Sequence, residues 1–232
     1  MIVPRLKSPG IPLEELPPID LILISHNHYD HLNMKSIRRL RRRGQSTVVV
    51  PRGVVKWARR VGFHTIIEMN WWDRVSMEEH GITITCVPAK HFSGRGLFDR
   101  NKSLFCGYVI ESNGTTIYFA GDTSYYSVFG EISRKFSVDV ALLPIGAYRP
   151  HFFRRIHMSP EDALSAFVDL DAKAMIPIHW GTFKISEEPI HEPPLRLKAA
   201  ANRIGIADKI HILRNGKTFL METEVVTADV KN

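Results

Sequence analysis

One short run constrains this chain more than any other, because four potential metal ligands fall within six residues of it. The run reads Ser25-His26-Asn27-His28-Tyr29-Asp30-His31-Leu32. It follows an apolar segment, residues 20–25, that is typical of a buried strand. It precedes a helical pattern over residues 33–43 that a glycine ends. The run therefore lies at the turn from a strand into a helix.

The spacing within this run indicates two metal sites. Alternate residues of a strand project to the same face, so His26 and His28 can bind one ion together. Asp30 and His31 then lie on the turn into the helix and can face a second ion. Imidazole and carboxylate ligands suit zinc, and they also bind iron or manganese. A polar loop that happens to contain three histidines would have no reason to place them at a strand end.

Three further candidates each follow the end of a predicted strand. His91 follows the strand at residues 82–87, and Asp122 follows the strand at 115–120, with Gly121 permitting a sharp turn. His179 follows the strand at 174–178. Loops after strand ends gather at one edge of a sheet, so we expect these side chains to meet the first run. Taken alone, Asp122 could be a turn residue and His179 a hydrogen-bonded core histidine.

The rest of the chain predicts alternating strands and helices in one domain, residues 19–232, after an extended proline-rich lead-in over residues 1–18. Further strands are expected at 47–50, 65–68, 104–111 and 138–143, and helices at 54–61, 125–136, from Ser159 onward, and at 195–204. Asn113-Gly114 and Asn215-Gly216 predict two hairpins, since both residue types tolerate positive φ. Strands linked mostly by hairpins, with a few helices, indicate packed sheets with helices outside.

Composition limits which partners and which cellular compartment are expected. The 232 residues carry 31 basic and 24 acidic side chains, a net charge of +7 that favours anionic partners. Only two cysteines are present, Cys86 and Cys106, so a disulfide scaffold is excluded and a reducing compartment is expected. No apolar run has the length that spans a bilayer. We expect a cytoplasmic protein, with attachment to the inner membrane surface as the alternative.

At these residues the sequence resembles the metallo-β-lactamase superfamily, whose signature is a His-x-His-x-Asp-His run. Within it, the chain is most similar to the phospholipase D family that hydrolyses N-acyl-phosphatidylethanolamine. The segments that carry the resemblance are ELPPIDLILISHNHYDHLN, FAGDTSYY, LLPIGAYRP and IPIHWGTF followed by HEPP. The resemblance implies an α/β fold, the αββα sandwich of two mixed β-sheets with outer helices.

The resemblance also implies a ligand set and a reaction. The first zinc ion would be held by His26, His28 and His91, the second by Asp30, His31 and His179, and Asp122 would bridge the two. A zinc-bound hydroxide would then attack phosphorus in line with the leaving oxygen. The products would be N-acylethanolamine and phosphatidic acid. Asp122 is thus a catalytic candidate as well as a ligand.

Two residues near the ligands are candidates for contact with the substrate. His157 matches a family histidine just before a helix, and we expect it to bind substrate or to act in acid–base catalysis; the alternative is a surface histidine near a helix start. Tyr29 lies inside the ligand run and can reach over the site as a substrate-binding residue, or it can simply pack at the start of the helix.

Basic clusters bear on the substrate and on association with a surface. Lys35 and the arginines between Arg38 and Arg43 crowd the helix that follows the ligand run. Such a helix is commonly just solvated, yet beside a phosphodiesterase site it also fits an anionic lipid surface. A phospholipid or another anionic phosphodiester is the expected substrate, and nucleic acid is the less favoured partner.

The chain departs from the superfamily in one respect. Members usually place several strands before the first ligand, whereas here that ligand is residue 26. We therefore expect the first sheet to lack its first strands, with lower stability or homo-oligomerisation through that edge. The alternatives to the lipid reaction are a related hydrolase acting on a lactone or RNA, a non-catalytic binder of nucleic acid or membrane surfaces, and an inactive shortened form.

Overall fold

A computed structural model describes residues 5–41 and 45–221 of the chain. The nine strands within that part are β1 (Leu21–Leu23), β2 (Thr47–Pro51), β3 (Ile66–Met69), β4 (Arg74–Met77), β5 (Ile82–Pro88), β6 (Cys106–Ser112), β7 (Thr115–Phe119), β8 (Val140–Pro144) and β9 (Ala174–Ile178). The five α-helices are α1 (Met34–Arg41), α2 (Val55–Val61), α3 (Val128–Lys135), α4 (Pro160–Asp169) and α5 (Glu192–Arg203).

The strands form two sheets. One has the order β1-β2-β3 and the other the order β4-β5-β6-β7-β8-β9. In the larger sheet β4 to β7 are antiparallel neighbours, and β8 and β9 join in parallel. The prediction of two mixed sheets is wrong for the smaller one, whose described strands are all parallel. Helices α1 and α2 link these strands, and a helical crossover returns the chain in the same direction, which a hairpin cannot do.

Alternation along the strands produces four layers. Val48 and Val50 of β2 pack beneath α1 and α2, whereas Val49 between them faces the other sheet. In β5, Cys86 faces the inter-sheet core and Val87 belongs to the cluster beneath α3, α4 and α5. Because successive strand residues point to opposite faces, each sheet is buried on both sides. This confirms the predicted αββα sandwich.

Local signals at helix starts and turns are mostly confirmed. The Ser159 hydroxyl accepts from the backbone N–H of Asp162 at 3.2 Å, and the Asp162 carboxylate accepts from the backbone N–H of Ser159. These two bonds form a capping box at the start of α4. Asn113 and Gly114 have φ values of 48° and 76° and connect β6 to β7. The hairpin predicted at Asn215-Gly216 is wrong within the described residues: a turn forms, but no strand flanks it up to residue 221.

The lead-in contacts the body of the protein. The backbone N–H of Leu6 donates to the carbonyl of Thr182 at 2.8 Å, and the Arg5 guanidinium lies 5.0 Å from the Phe183 ring centre. Residues 5–20 contain neither a helix nor a named strand, and a turn forms at residues 13–15. Both cysteines are buried and free. Among the described helices, none combines the length and apolarity needed to cross a membrane.

Candidate metal centre

The run after β1 forms a tight turn that presents its histidines inward. The backbone N–H groups of His31 and Leu32 both donate to the carbonyl of His28, at 3.2 and 2.8 Å. This turn reverses the chain between the extended His26–His28 segment and α1. It therefore places Asp30 and His31 on the same side of the loop as the two preceding histidines.

The other candidate ligands reach the same place because of sheet topology. β5, β7 and β9 run in the same direction, so the loops after them lie at one edge of the larger sheet. His91, Asp122 and His179 follow these strands and meet the run after β1. Gly121 has a φ of 60°, and a Cβ there would lie 2.7 Å from the Cβ of Ser25. A glycine is therefore required where the two loops touch.

Three histidines form the first group. The Nδ1 atom of His28 lies 2.9 Å from Nε2 of His26 and 3.2 Å from Nε2 of His91. The rings of His26 and His91 are fixed from behind, because Ser25 Oγ lies 3.0 Å from His26 Nδ1 and His91 Nδ1 donates to the Ile156 carbonyl at 2.8 Å. Such outer contacts orient the inward nitrogen of a metal-binding histidine.

The second group combines two carboxylates with two histidines. His31 Nε2 lies 3.1 Å from Asp122 Oδ2 and 3.4 Å from Asp30 Oδ2, and His179 Nε2 lies 3.3 Å from Asp122 Oδ1. Asp122 Oδ2 is also 3.9 Å from His26 Nε2. The structure thus places Asp122 between the two groups, where a bridging carboxylate would lie, and brings all seven predicted ligands together.

The donor atoms of this cluster fit metal ions. His31 Nε2 and Asp122 Oδ1 are buried and make no well-aligned hydrogen bond; each instead faces another candidate ligand, Asp122 Oδ2 at 3.1 Å and His179 Nε2 at 3.3 Å. Buried polar atoms are almost always satisfied, since leaving one unpaired costs about 1–3 kcal/mol. A set of unpaired imidazole nitrogens and carboxylate oxygens is the donor chemistry of zinc, iron or manganese.

Burial and mutual charge set the protonation of the cluster. Burial lowers the pKa of His28 to about 4, so its imidazole is neutral near pH 7 and its lone pair can bind a cation. Burial alone would lower the pKa of His31, but the Asp122 carboxylate raises it to about 10. Burial opposes ionisation of Asp122 too, yet His179 and His31 hold its pKa well below the usual range. The buried Asp122 anion therefore attracts positive charge to the centre.

His157 lies beside the ligand groups. Its Nδ1 atom is 4.0 Å from Asp122 Oδ2 and has no hydrogen-bond partner, and its ring stacks on that of His179 with 5.5 Å between ring centres. Burial lowers the pKa of His157 to about 3, so the imidazole is neutral. The structure thus places His157 at the cluster rather than on the surface, and its role toward substrate stays a prediction.

Tyr29 contacts Arg95. Its side chain is 58% exposed, its hydroxyl donates to the Arg95 carbonyl at 2.8 Å, and the Arg95 guanidinium lies 4.0 Å from the ring centre. Its predicted contact with substrate stays a prediction. In the basic cluster, Arg38 and Arg39 are exposed on α1, and Arg39 forms an ion pair with Glu14. Arg42 and Arg43 of that cluster lie outside the described residues.

Two residues that hold the site loops carry no signal in the sequence. The Arg95 guanidinium donates to the carbonyls of Asn27 at 2.8 Å and Leu32 at 2.9 Å, on either side of the ligand turn. Glu188 is buried and accepts from the backbone N–H of Ala147 at 2.6 Å. In the sequence, Arg95 lies between two glycines, and Glu188 lies in the stretch Ser-Glu-Glu-Pro. Neither pattern is known to predict a residue that holds a loop in place.

A pocket of about 280 Å³ opens on the second ligand group. Asp30, His31 and His179 form its inner end. Two cationic side chains, Arg5 and Lys184, also line it. The remaining lining is mixed: Thr182, Ser186 and Glu188 are polar, and Gly146, Ala147, Trp180, Gly181, Phe183, Ile185, Ile190 and Pro193 supply an apolar or backbone wall. The extended lead-in therefore contributes one wall of the pocket through Arg5.

Comparison with known proteins settles the family. Residues 3–180 match the family model described as Beta-lactamase superfamily domain. The chain belongs to the metallo-β-lactamase superfamily. The solved structure of Igni18, described as a novel metallo hydrolase from Ignicoccus hospitalis, has the same fold. The TM-score is 0.71 at 26% identity, covering 89% of this chain and 81% of that structure.

Curated relatives show which part of the superfamily this chain resembles. It is 35% identical over 213 residues to the mitochondrial N-acyl-phosphatidylethanolamine-hydrolyzing phospholipase D of Saccharomyces cerevisiae, covering 89% of this chain and 46% of the relative. It is 33% identical over 192 residues to a UPF0173 metal-dependent hydrolase of Caldivirga maquilingensis, covering 82% and 78%. The chain therefore belongs to a family of metal-dependent hydrolases and is similar to the phospholipase D family over most of its length. The chain spans about half the length of the first curated relatives it matches, 46% and 54%.

Proposed function

We propose that this chain is a zinc-dependent phosphodiester hydrolase of the phospholipase D type, which releases N-acylethanolamine and phosphatidic acid from N-acyl-phosphatidylethanolamine. The observation that carries the proposal is the pocket on the second ligand group. Its cations, Arg5 and Lys184, suit a phosphodiester anion, and its apolar wall suits the acyl part of a lipid. The yeast relative, and a Caenorhabditis elegans relative at 33% identity, are named for this reaction.

The chain's own residues would hold two zinc ions, with iron or manganese as the alternatives. His26, His28 and His91 form one ligand group, Asp30, His31 and His179 form the other, and Asp122 joins them. Bound there, the ions would supply Lewis-acid activation of water and of the phosphoryl group. Asp122 would thus serve catalysis by contacting both ligand groups and holding them next to each other.

His157 would act on the substrate through its unpaired Nδ1. A neutral imidazole can carry one N–H, and burial excludes the cationic form near pH 7. With that proton on Nδ1, 4.0 Å from Asp122 Oδ2, the imidazole would donate a hydrogen bond to an oxygen of the reacting phosphodiester. Arg5 and Lys184, at the pocket wall, would balance the charge that remains on the phosphoryl group of the product.

Product analysis by mass spectrometry tests the proposal. Purified protein, with its metal content measured, is incubated with N-acyl-phosphatidylethanolamine, with and without a chelator. We expect chelator-sensitive release of both products. Asp122→Asn should lose metal and activity, whereas Asp171→Asn, an exposed aspartate at a φ of 50° that asparagine also tolerates, should behave as wild type.

Two negative outcomes are distinguishable. No release from protein confirmed to hold two metal ions would overturn the lipid reaction and favour a lactone or RNA as substrate. No release from protein that binds no metal would favour an inactive form. Release that survives complete removal of metal would contradict the proposed ligand groups.

A further inference from the structure

The loop between β5 and β6 holds two large apolar side chains in water. Leu97 is 92% exposed and Phe98 is 86% exposed, the two highest values among large apolar residues of the described chain. They are adjacent and lie at the tip of the segment 94–102. Adjacent exposed side chains of this size are unusual on a protein surface unless they contact a partner or a membrane.

The exposure of this tip is built into the loop. The Asp99 carboxylate accepts the backbone N–H groups of Arg95 at 2.9 Å and Gly96 at 2.7 Å. Across the base of the loop, the N–H of Asn101 donates to the Ser93 carbonyl at 2.9 Å. These bonds close the segment into a compact turn. Leu97 and Phe98 therefore project because the backbone is folded to present them.

Basic side chains lie in the loop and on the helix beside it. Arg100 and Lys102 are exposed within the loop, and Lys56, Arg59 and Arg60 are exposed on the adjacent α2. The guanidinium of Arg95 and the ammonium of Lys56 both lie within 5.5 Å of the Trp57 ring centre, which joins the loop to that helix. α2 has no acidic residue, and the one acid of the loop, Asp99, is bonded to backbone N–H groups.

The loop is also attached to the candidate metal centre. Arg95, next to the tip, donates to the carbonyls of Asn27 and Leu32 at the two ends of the ligand turn. The N–H of Gly94 donates to the Asn27 side chain at 2.8 Å. A surface that receives Leu97 and Phe98 would therefore lie directly beside the ligand turn.

We propose that the segment 94–102 anchors the protein to an anionic lipid surface, with Leu97 and Phe98 inserted among the acyl chains and the surrounding cations against the headgroups. An apolar tip inside a basic collar matches the two layers of a bilayer surface, the hydrocarbon and the anionic headgroups. The proposal deepens the proposed function, since a phospholipid substrate lies in such a surface.

Vesicle sedimentation tests the anchor without any use of enzymatic activity. Full-length protein is mixed with vesicles of phosphatidylcholine alone or of phosphatidylcholine with phosphatidylserine. We expect tighter binding to the anionic vesicles. The double variant Leu97→Ser/Phe98→Ser should bind them at least about tenfold more weakly, because it removes the inserted apolar surface.

Matched variants separate insertion from general effects. Leu195→Ser changes another exposed leucine, 68% exposed on α5, and should bind vesicles as wild type. Lys56→Gln/Lys102→Gln should weaken binding to anionic vesicles by about fivefold for each cation removed and leave binding to neutral vesicles unchanged. Lys198→Gln/Lys209→Gln, two exposed lysines on and just after α5, should have no effect.

A fluorescent label reads insertion directly and does not depend on removing the anchor. Leu97→Cys is labelled with an environment-sensitive dye, since Cys86 and Cys106 are buried at 0% and 1% exposure. A blue shift on addition of anionic vesicles, absent for labelled Leu195→Cys, would support insertion.

The proposal is overturned if the wild type binds no vesicles, or if Leu97→Ser/Phe98→Ser binds them as well as the wild type. It is also overturned if the basic face binds RNA or DNA in a salt-sensitive way while vesicles leave the dye at position 97 unchanged. Because none of these measurements uses catalysis, failure of the anchor leaves the proposed reaction untouched. Failure of the reaction likewise leaves the anchor measurable.

Discussion

A buried carboxylate holds the loop after β8 in the shape that forms the pocket. Glu188 Oε1 accepts from the backbone N–H of Ala147 and from the Ser186 hydroxyl, each at 2.6 Å, and Oε2 accepts from the N–H of Arg149 at 3.1 Å. Ala147 has a φ of 64°, a conformation that costs an alanine free energy unless its surroundings hold it there. We predict that Glu188→Gln destabilises the fold and weakens the metal centre.

The magnitude follows from the three bonds. Glutamine keeps one carbonyl oxygen, so its NH₂ group must face either the N–H of Ala147 or that of Arg149. At least one charge-assisted bond, worth about 1.5–3 kcal/mol, is lost, and a half-buried N–H is left unpaired at about 1 kcal/mol or more. We therefore expect a loss of about 2–4 kcal/mol in the free energy of unfolding. For a chain of this size, that lowers Tm by about 4–16 °C.

Thermal and urea unfolding measure the loss, and metal retention measures its effect on the centre. Gly146 of the same loop stands against the carbonyl oxygen of His179, so a displaced loop should loosen that ligand. Glu187→Gln is the matched control, because Glu187 is the exposed neighbour. If Glu188→Gln and Glu187→Gln unfold at the same temperature and retain the same metal, the loop does not depend on this carboxylate.

Three further predictions concern the same centre. Gly146→Ala sets a methyl group against the histidine carbonyl after β9, and we expect about tenfold or greater loss of activity from overpacking; Gly130→Ala, on an open face of α3, should match wild type in the same assay. Arg95→Lys should lower metal affinity about 10–100-fold in a chelator-competition titration, and an unchanged affinity would show that the turn keeps its shape without the guanidinium. In metal-free protein the lowered pKa values of His28 and His157 mean that these imidazoles take up protons below about pH 6.5 only in the unfolded chain; His31, whose pKa is raised to about 10, opposes them, but two groups outweigh one and the urea midpoint should fall between about pH 7 and about pH 5. A midpoint that rises over that interval would contradict the neutral histidines.

Short-range patterns predicted most strands and helices and their packing as sheets with helices outside, whereas the four-layer αββα arrangement came from the family resemblance. The helical spacing of α1 and α2 depends only on which neighbours in sequence share a face, so it is read without the tertiary structure. The smaller sheet was predicted less well. β2 and β3 pair in parallel, so residues far apart in sequence, such as Val48 and Ile66, become partners. No turn residue marks such a pairing in the sequence, because the strands are joined by a crossover and not by a hairpin.

At the candidate centre, the sequence alone determined the identity of the seven candidate ligands. Their chemistry is local: His26, His28, Asp30 and His31 share one turn, and the others follow strand ends. Family resemblance extended this to His157, which the structure places 4.0 Å from Asp122. The sequence could not determine what Tyr29 contacts, because the partner of an exposed ring depends on which side chains the fold brings next to it.

Tertiary structure alone decided which residues hold the centre and form its pocket. Arg95 reaches Asn27 across 68 positions of sequence, and Glu188 reaches Ala147 across 41. No local pattern marks such contacts, since any arginine or glutamate in a loop looks solvated until a distant backbone group meets it. Arg5 likewise lines the pocket only because the lead-in folds back on the loop after β9. Local periodicity and residue chemistry thus specify the layers and candidate ligands, whereas loop contacts over long sequence separations specify the pocket.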